Sequence, residues 1–166
     1  MIFGADWLHC FDDPMILATL CYIHHDGHTL MLHRVKRTDD IHAGKWNGLG
    51  GKFEPGESPE ECVVREVGEE SGLEICNPHM CGLLMFPGFK DNDWYVFVFT
   101  AEKFSGELKE NGEGYLKWIP DTELESLPLW PSDHIFLPWL REGMFFSAKF
   151  VYEGNEYLRH EVTFYP

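Results

Sequence analysis

The chain has 166 residues, 44% hydrophobic and 15% aromatic, with a formal net charge of −15. That length and composition fit one globular domain with a sizeable core and exclude a disordered chain. The acidic balance argues against a protein that grips a nucleic-acid polymer, which needs basic stripes. It leaves nucleotide substrates open, because a bound divalent cation inverts the local sign of charge.

The five cysteines, Cys10, Cys21, Cys62, Cys76 and Cys81, are odd in number and form no CxxC pair. They read as unpaired, mostly buried thiols of a reducing compartment. The N-terminus has no basic n-region, and the apolar run near Met15–Ile23 is too short to span a bilayer. A cytoplasmic protein with no membrane partner is expected.

Residues 1–14 have no clear period and read as an N-terminal extension, with residues 15–166 as the single domain. Residues 15–24 and 29–35 are apolar strand formers joined by Asp26-Gly27, a strong hairpin signal. His24, His25 and His28 flank the turn and read as surface histidines, because no acidic or cysteine cluster with metal spacing accompanies them. Residues 36–45 form a polar loop whose Lys36, Arg37 and Lys45 are either phosphate contacts or solvated charge. Three glycines around Leu49 in Trp46–Lys52 suggest close approach of the backbone to something, with Lys52 in reach of a phosphate.

Residues 51–73 follow, a glycine-bearing loop running into a short acidic helix. Ser58 is its N-cap, Pro59 its first residue and Glu61 the partner in a capping box; Gly72 ends it. At about 100° per residue, Glu66, Glu69 and Glu70 share one face. Three carboxylates on one face repel unless a cation neutralises them, and Mg²⁺ takes carboxylates together with phosphate oxygens. Val63, Val64 and Val67 occupy another arc, suited to packing on a sheet, and Arg65 lies one turn before Glu69, placed to orient it.

Residues 79–89, 94–104 and 113–119 read as strands, the last beginning at Glu113. Residues 132–142 read as a helix with Ser132 as a candidate cap and Pro138 inside it. Residues 144–152 and 156–164 form a last hairpin around Gly154-Asn155. Strands on both sides of the acidic helix, plus a later helix, predict an α/β fold with a mixed sheet between helices.

Gly51, five residues, Glu57, seven residues, Arg65-Glu66, an apolar residue, any residue, Glu69-Glu70, any residue, Gly72 and an apolar residue match the Nudix box at every fixed position. The chain therefore resembles the Nudix hydrolases, which cleave nucleoside diphosphates linked to another moiety. The resemblance implies an α/β/α sandwich and Mg²⁺, with Mn²⁺ an allowed substitute. It implies metal ligands among Glu57, Glu66, Glu69, Glu70, Glu113 and the Gly50 or Gly51 carbonyl. It implies further that one of these glutamates acts as general base, with Arg65 orienting them.

Trp46–Lys52, Leu129–Asp133, Phe136–Leu140 and the final hairpin further resemble the MutT-type oxidised purine nucleoside triphosphatases. That implies Asn47 and Asp133 hydrogen-bonding a purine and Trp130 stacking on it. The expected reaction is hydrolysis of an oxidised purine nucleoside triphosphate, such as 8-oxo-dGTP, by a monomer or homodimer that sanitises the nucleotide pool; the alternatives are a nucleotide sugar, a dinucleoside polyphosphate or another nucleoside triphosphate as substrate, or a non-catalytic ligand-sensing module. Lys36, Lys52 and Ser132 complete the expected substrate contacts. The mammalian members have two adjacent aspartates where this chain has Ser132-Asp133, which puts the preference for oxidised over normal guanine in question.

Overall fold

The computed structural model describes residues 15–35, 42–109, 112 and 114–166. The N-terminal extension, Lys36, Arg37 and Glu113 lie outside the described residues.

Strands β1 (Met15–His25) and β2 (His28–His33) form the expected hairpin. Its turn residues Asp26 and Gly27 have φ of 48° and 71°, the two positive values that a tight type I′ turn requires. Strand β3 is the pair Trp46–Asn47, and helix α1 spans Pro59–Ser71. Two four-residue strands were not expected: β4 (Leu73–Cys76) directly after α1, and β7 (Lys103–Gly106). They pair with each other in a small separate sheet.

Strands β5 (His79–Phe89) and β6 (Asn92–Ala101) make a second hairpin, and β6 ends before the predicted position 104. The β5 ladder is irregular between Phe86 and Phe89, a bulge that contains Pro87, as suits a residue that cannot donate to the ladder. Strand β8 is Tyr115–Pro120, and helix α2 spans Pro131–Arg141. Strands β9 (Phe145–Glu153) and β10 (Glu156–Tyr165) close the chain.

The main sheet runs β10-β9-β5-β6-β1-β2-β3, with β8 also paired to β2. It is mixed: β1 with β6 and β5 with β9 are parallel, and the other pairs are antiparallel.

Alternation along β1 divides the core. Tyr22 faces α2 with Leu84, Phe136 and Phe146, while Cys21 and Ile23 face α1 with Val63, Val67 and Phe99. Both faces of the sheet are thus covered, which gives the α/β/α sandwich. Val63 and Val67 are fully buried, each contributing about 1.5–3 kcal/mol by removal from water. Trp139 packs against the α2 cluster as a core aromatic. Helix α2 continues through Pro138, and its N-cap is Trp130, not Ser132. Among the described residues no helix is long and apolar enough to cross a membrane.

Candidate active site

The loop before α1 is bound to β1. The Thr19 amide donates to the Gly51 carbonyl (2.8 Å), and the Leu49 and Cys21 backbones bond each other (2.6 and 2.9 Å). Gly50 has φ +153°, and a Cβ there would lie 2.1 Å from the Thr19 carbonyl oxygen. Only glycine lets the two backbones approach this closely. A Cβ on Gly51 would lie 2.5 Å from the Glu66 carboxyl carbon, so the Glu66 head group occupies the space that a side chain would take.

Helix α1 begins as predicted. Ser58 Oγ accepts the Glu61 amide, and Glu61 Oε2 accepts the Ser58 amide. It ends on Gly72 at φ 75°, the left-handed C-cap. Arg65 organises the acidic face. Its Nε donates to Glu57 Oε1 at 2.6 Å and its Nη2 to Glu57 Oε2 at 2.9 Å; Nη1 reaches Glu66 Oε1 at 2.7 Å and Glu69 Oε2 at 3.3 Å. The guanidinium bonds hold the Glu57 carboxyl down at about 2, with help from the Glu54 amide. Glu70 points inward: Oε2 accepts the Gly50 amide at 2.8 Å, and Arg34 Nη1 lies 3.9 Å from Oε1.

Among the described residues no group of three or more His, Cys, Asp and Glu side chains is arranged to hold a metal ion. The reason is visible in the bonds above: Glu66 and Glu69 are turned onto Arg65, and Glu70 onto Gly50. The donor set still fits a divalent cation, since hard oxygens from Glu66, Glu69, Glu70 and a glycine carbonyl are what Mg²⁺ prefers. The Gly51 carbonyl and both Glu57 oxygens already accept hydrogen bonds.

Next to the loop, a cavity of about 180 Å³ opens between the sheet and α2. Asn47, Gly50, Gly51, Trp130, Ser132 and Asp133 all line it. Residues from β3 and α2, far apart in the chain, therefore meet in one space that borders the glycine loop. Asp133 is 8% exposed. Burial pushes its carboxyl up to about 7, against the lowering pull of the Trp130 amide, which donates to it, and of Lys45. Such a carboxyl changes between acceptor and donor near neutral pH. Trp130 is held on several sides: its Nε1–H donates to His42 Nδ1 at 2.8 Å, Lys45 Nζ lies 5.5 Å from the ring, and Phe89 meets it edge-on.

Lys45 thus belongs beside the indole, and its Nζ donates to the Leu129 carbonyl. Lys52 is exposed and does not line the cavity; its Nζ sits 5.3 Å from the ring centre of Trp94, which does. Of the turn histidines, His24 is half-buried and bonds Thr29 Oγ1, and burial lowers its pKa. Cys21, Cys62, Cys76 and Cys81 are unpaired thiols, with Cys76 exposed. Arg34, His42, Trp94 and Tyr152 line the cavity without having been expected there. Each enters it through a tertiary contact, and no local pattern marks it.

A family model described as NUDIX domain matches residues 15–140, and the chain belongs to the Nudix family of hydrolases, which act on nucleoside diphosphate derivatives with a divalent metal. The chain is 34% identical over 132 residues to the Nudix hydrolase YvcI of Bacillus subtilis, covering 76% of this chain and 79% of that one. It is 31% identical over 115 residues to an oxidized purine nucleoside triphosphate hydrolase of Danio rerio, covering 69% and 74%. The crystal structure of a mutator MutT protein from Bacillus halodurans superposes with a TM-score of 0.79 at 30% identity, covering 89% of this chain and 97% of that one.

Proposed function

We propose that this protein is a Mg²⁺-dependent nucleoside triphosphate pyrophosphohydrolase that takes purine nucleotides, oxidised guanine nucleotides foremost, and so sanitises the nucleotide pool. The observation that carries this reading is the shared cavity: Asn47, Trp130 and Asp133 lie together beside Gly50 and Gly51, which lead into the acidic helix. A carboxamide, a carboxyl near its titration point and an indole supply the polar edges and the apolar face that a purine needs. The Danio rerio relative, named as an oxidized purine nucleoside triphosphate hydrolase, supports the same substrate class.

In this reading the base enters the cavity and the phosphate chain runs past the glycine loop toward α1. Water attacks one phosphorus, the bridging P–O bond breaks, and nucleoside monophosphate and pyrophosphate leave. The water's proton goes to a carboxylate among Glu66, Glu69, Glu70 and Glu113. Bound Mg²⁺, or Mn²⁺ in its place, supplies neutralisation of phosphate charge. Glu66, Glu69, Glu70 and the Gly50 carbonyl would hold it, with Glu113 as a further ligand on the strength of the family pattern alone. Glu57, held by two bonds from Arg65, acts by fixing that guanidinium, which in turn orients Glu66 and Glu69. Lys36 and Lys52 contact phosphate oxygens.

The test is turnover of a panel with Mg²⁺: 8-oxo-dGTP, dGTP, dATP, CTP, ADP-ribose and a dinucleoside polyphosphate. The expected result is highest kcat/KM on 8-oxo-dGTP, with monophosphate and pyrophosphate as products. Inert guanine nucleotides beside rapid turnover of another member would refute the substrate assignment.

A further inference from the structure

Ser132 and Tyr152 form a polar pair inside the cavity. Tyr152 stands on β9 with its ring packed edge-on against Phe89 (5.4 Å) and Trp130 (5.9 Å), so its hydroxyl is held in place. That hydroxyl accepts the Ser132 amide at 3.0 Å and donates to Ser132 Oγ at 3.0 Å. The amide is one of the orphan donors of the first turn of α2, so Tyr152 takes over a capping task. Ser132 is only 2% exposed.

A count of hydrogens then gives the pair its character. Two hydroxyls carry two hydrogens, and one is used within the pair. Whichever oxygen donates to the other, one hydroxyl hydrogen is left, and none of the described residues accepts it. Both residues line the cavity, so a bound base is in a position to supply that acceptor. A carboxylate in place of Ser132 would present acceptors only.

We propose that the Ser132–Tyr152 pair is a specificity-determining element: a neutral donor that selects a purine with a carbonyl oxygen facing it over one with an amino group there. Tyr152 acts as the positioning residue and Ser132 as its contact to the base. An amino group at that ring position leaves the hydroxyl hydrogen unmet in a buried site, and buried unmet groups are what make polar pockets discriminate. The inference rests on the reading of the cavity as a purine site.

The experiment compares kcat/KM for dGTP and for 2,6-diaminopurine deoxynucleoside triphosphate, which carry a carbonyl oxygen and an amino group at the 6-position and differ with it in the N1 proton, so that the variants below isolate the hydroxyl's share of the preference. The wild type is expected to prefer dGTP. Tyr152→Phe and Ser132→Ala each narrow that preference by about tenfold, at the upper end of the value of one hydrogen bond. The loss appears in KM for dGTP, and Ser132→Thr, which keeps the hydroxyl, retains the preference. Unchanged preference in Tyr152→Phe and Ser132→Ala, or no preference in the wild type, overturns the inference and leaves the proposed function standing. A wild type inert on both purines and on 8-oxo-dGTP overturns the proposed function and this inference with it. Circular dichroism melts identify a misfolded Tyr152→Phe, in which case Ser132→Ala decides.

Discussion

Gly51→Ala separates folding from chemistry. The added Cβ would lie 2.5 Å from Glu66 Cδ and 2.5 and 2.6 Å from its two oxygens. Ordinary contact needs roughly 3.5 Å, so the carboxylate must move by about 1 Å. The atoms it meets are the far end of a flexible side chain, and the backbone bond between Gly51 and Thr19 is not in the way. The stability loss is therefore small, about 1 kcal/mol or less. Glu66, however, leaves the position in which Arg65 holds it at 2.7 Å. A displacement of about 1 Å in a reacting constellation costs roughly 100-fold in rate. Pyrophosphate release at saturating Mg²⁺, measured beside a thermal melt, is the assay. An unchanged melt with activity within about threefold of the wild type would show that the Glu66 position does not matter, and the reasoning would fail.

Gly50→Ala has the opposite character: its Cβ meets the Thr19 carbonyl oxygen and carbon at 2.1 and 2.7 Å, atoms that cannot yield, and urea unfolding should register a loss of about 3 kcal/mol or more. Arg65→Ala removes the bonds to Glu57, Glu66 and Glu69; kcat/KM should fall roughly 10–100-fold, and the melting point should fall with it, because a bidentate pair in a half-buried network contributes more than an isolated surface pair. Asp133→Asn tests the buried carboxyl. Its native pKa is raised to about 7 from an ordinary 3.8, so the native state binds the extra proton between those values. The wild type accordingly loses stability as pH rises through that window. Asparagine does not titrate, so melts from pH 4 to pH 8 should show the variant gaining on the wild type as pH rises, and a constant difference would contradict the assignment.

Local chemistry made the acidic helix legible. Ser58, Pro59, Glu61 and Gly72 are capping residues whose effect lies within one turn, and the structure uses each of them as expected. The Asp26-Gly27 turn was legible for the same reason. The turn at Lys90-Asp91 has φ of 53° and 62° without a glycine to announce it, and β6 begins before its predicted start. Strands β4 and β7 escaped notice because each is four residues long and defined by its partner, so neither carries a period of its own. Ser132 looked like a cap because serine often is one. Pro131 at the first helical position moves the cap back to Trp130 and sends Ser132 into the cavity.

The site was half legible. Asn47, Trp130 and Asp133 came from resemblance, and the cavity brings them together. Tyr152 and His42 gave no warning, since their roles exist only where β9 and the loop before β3 close on α2. Arg65 was read as orienting glutamates, with Glu69, one turn on, as the neighbour that helical spacing identifies. Its shorter bonds go to Glu57 and Glu66, and the Glu57 bond crosses from the loop to the helix, which helical spacing does not reveal.

In the proposed function the base cavity and the acidic helix are two ends of one active site. The most direct measurement is a crystal structure with Mg²⁺ and a non-hydrolysable purine nucleoside triphosphate. The expected result is the base against Trp130 with Asn47 and Asp133 on its polar edge, and the phosphates passing Gly50 and Gly51 to Glu66 and Glu70. A base lying outside the cavity while the phosphates occupy the acidic helix would contradict it.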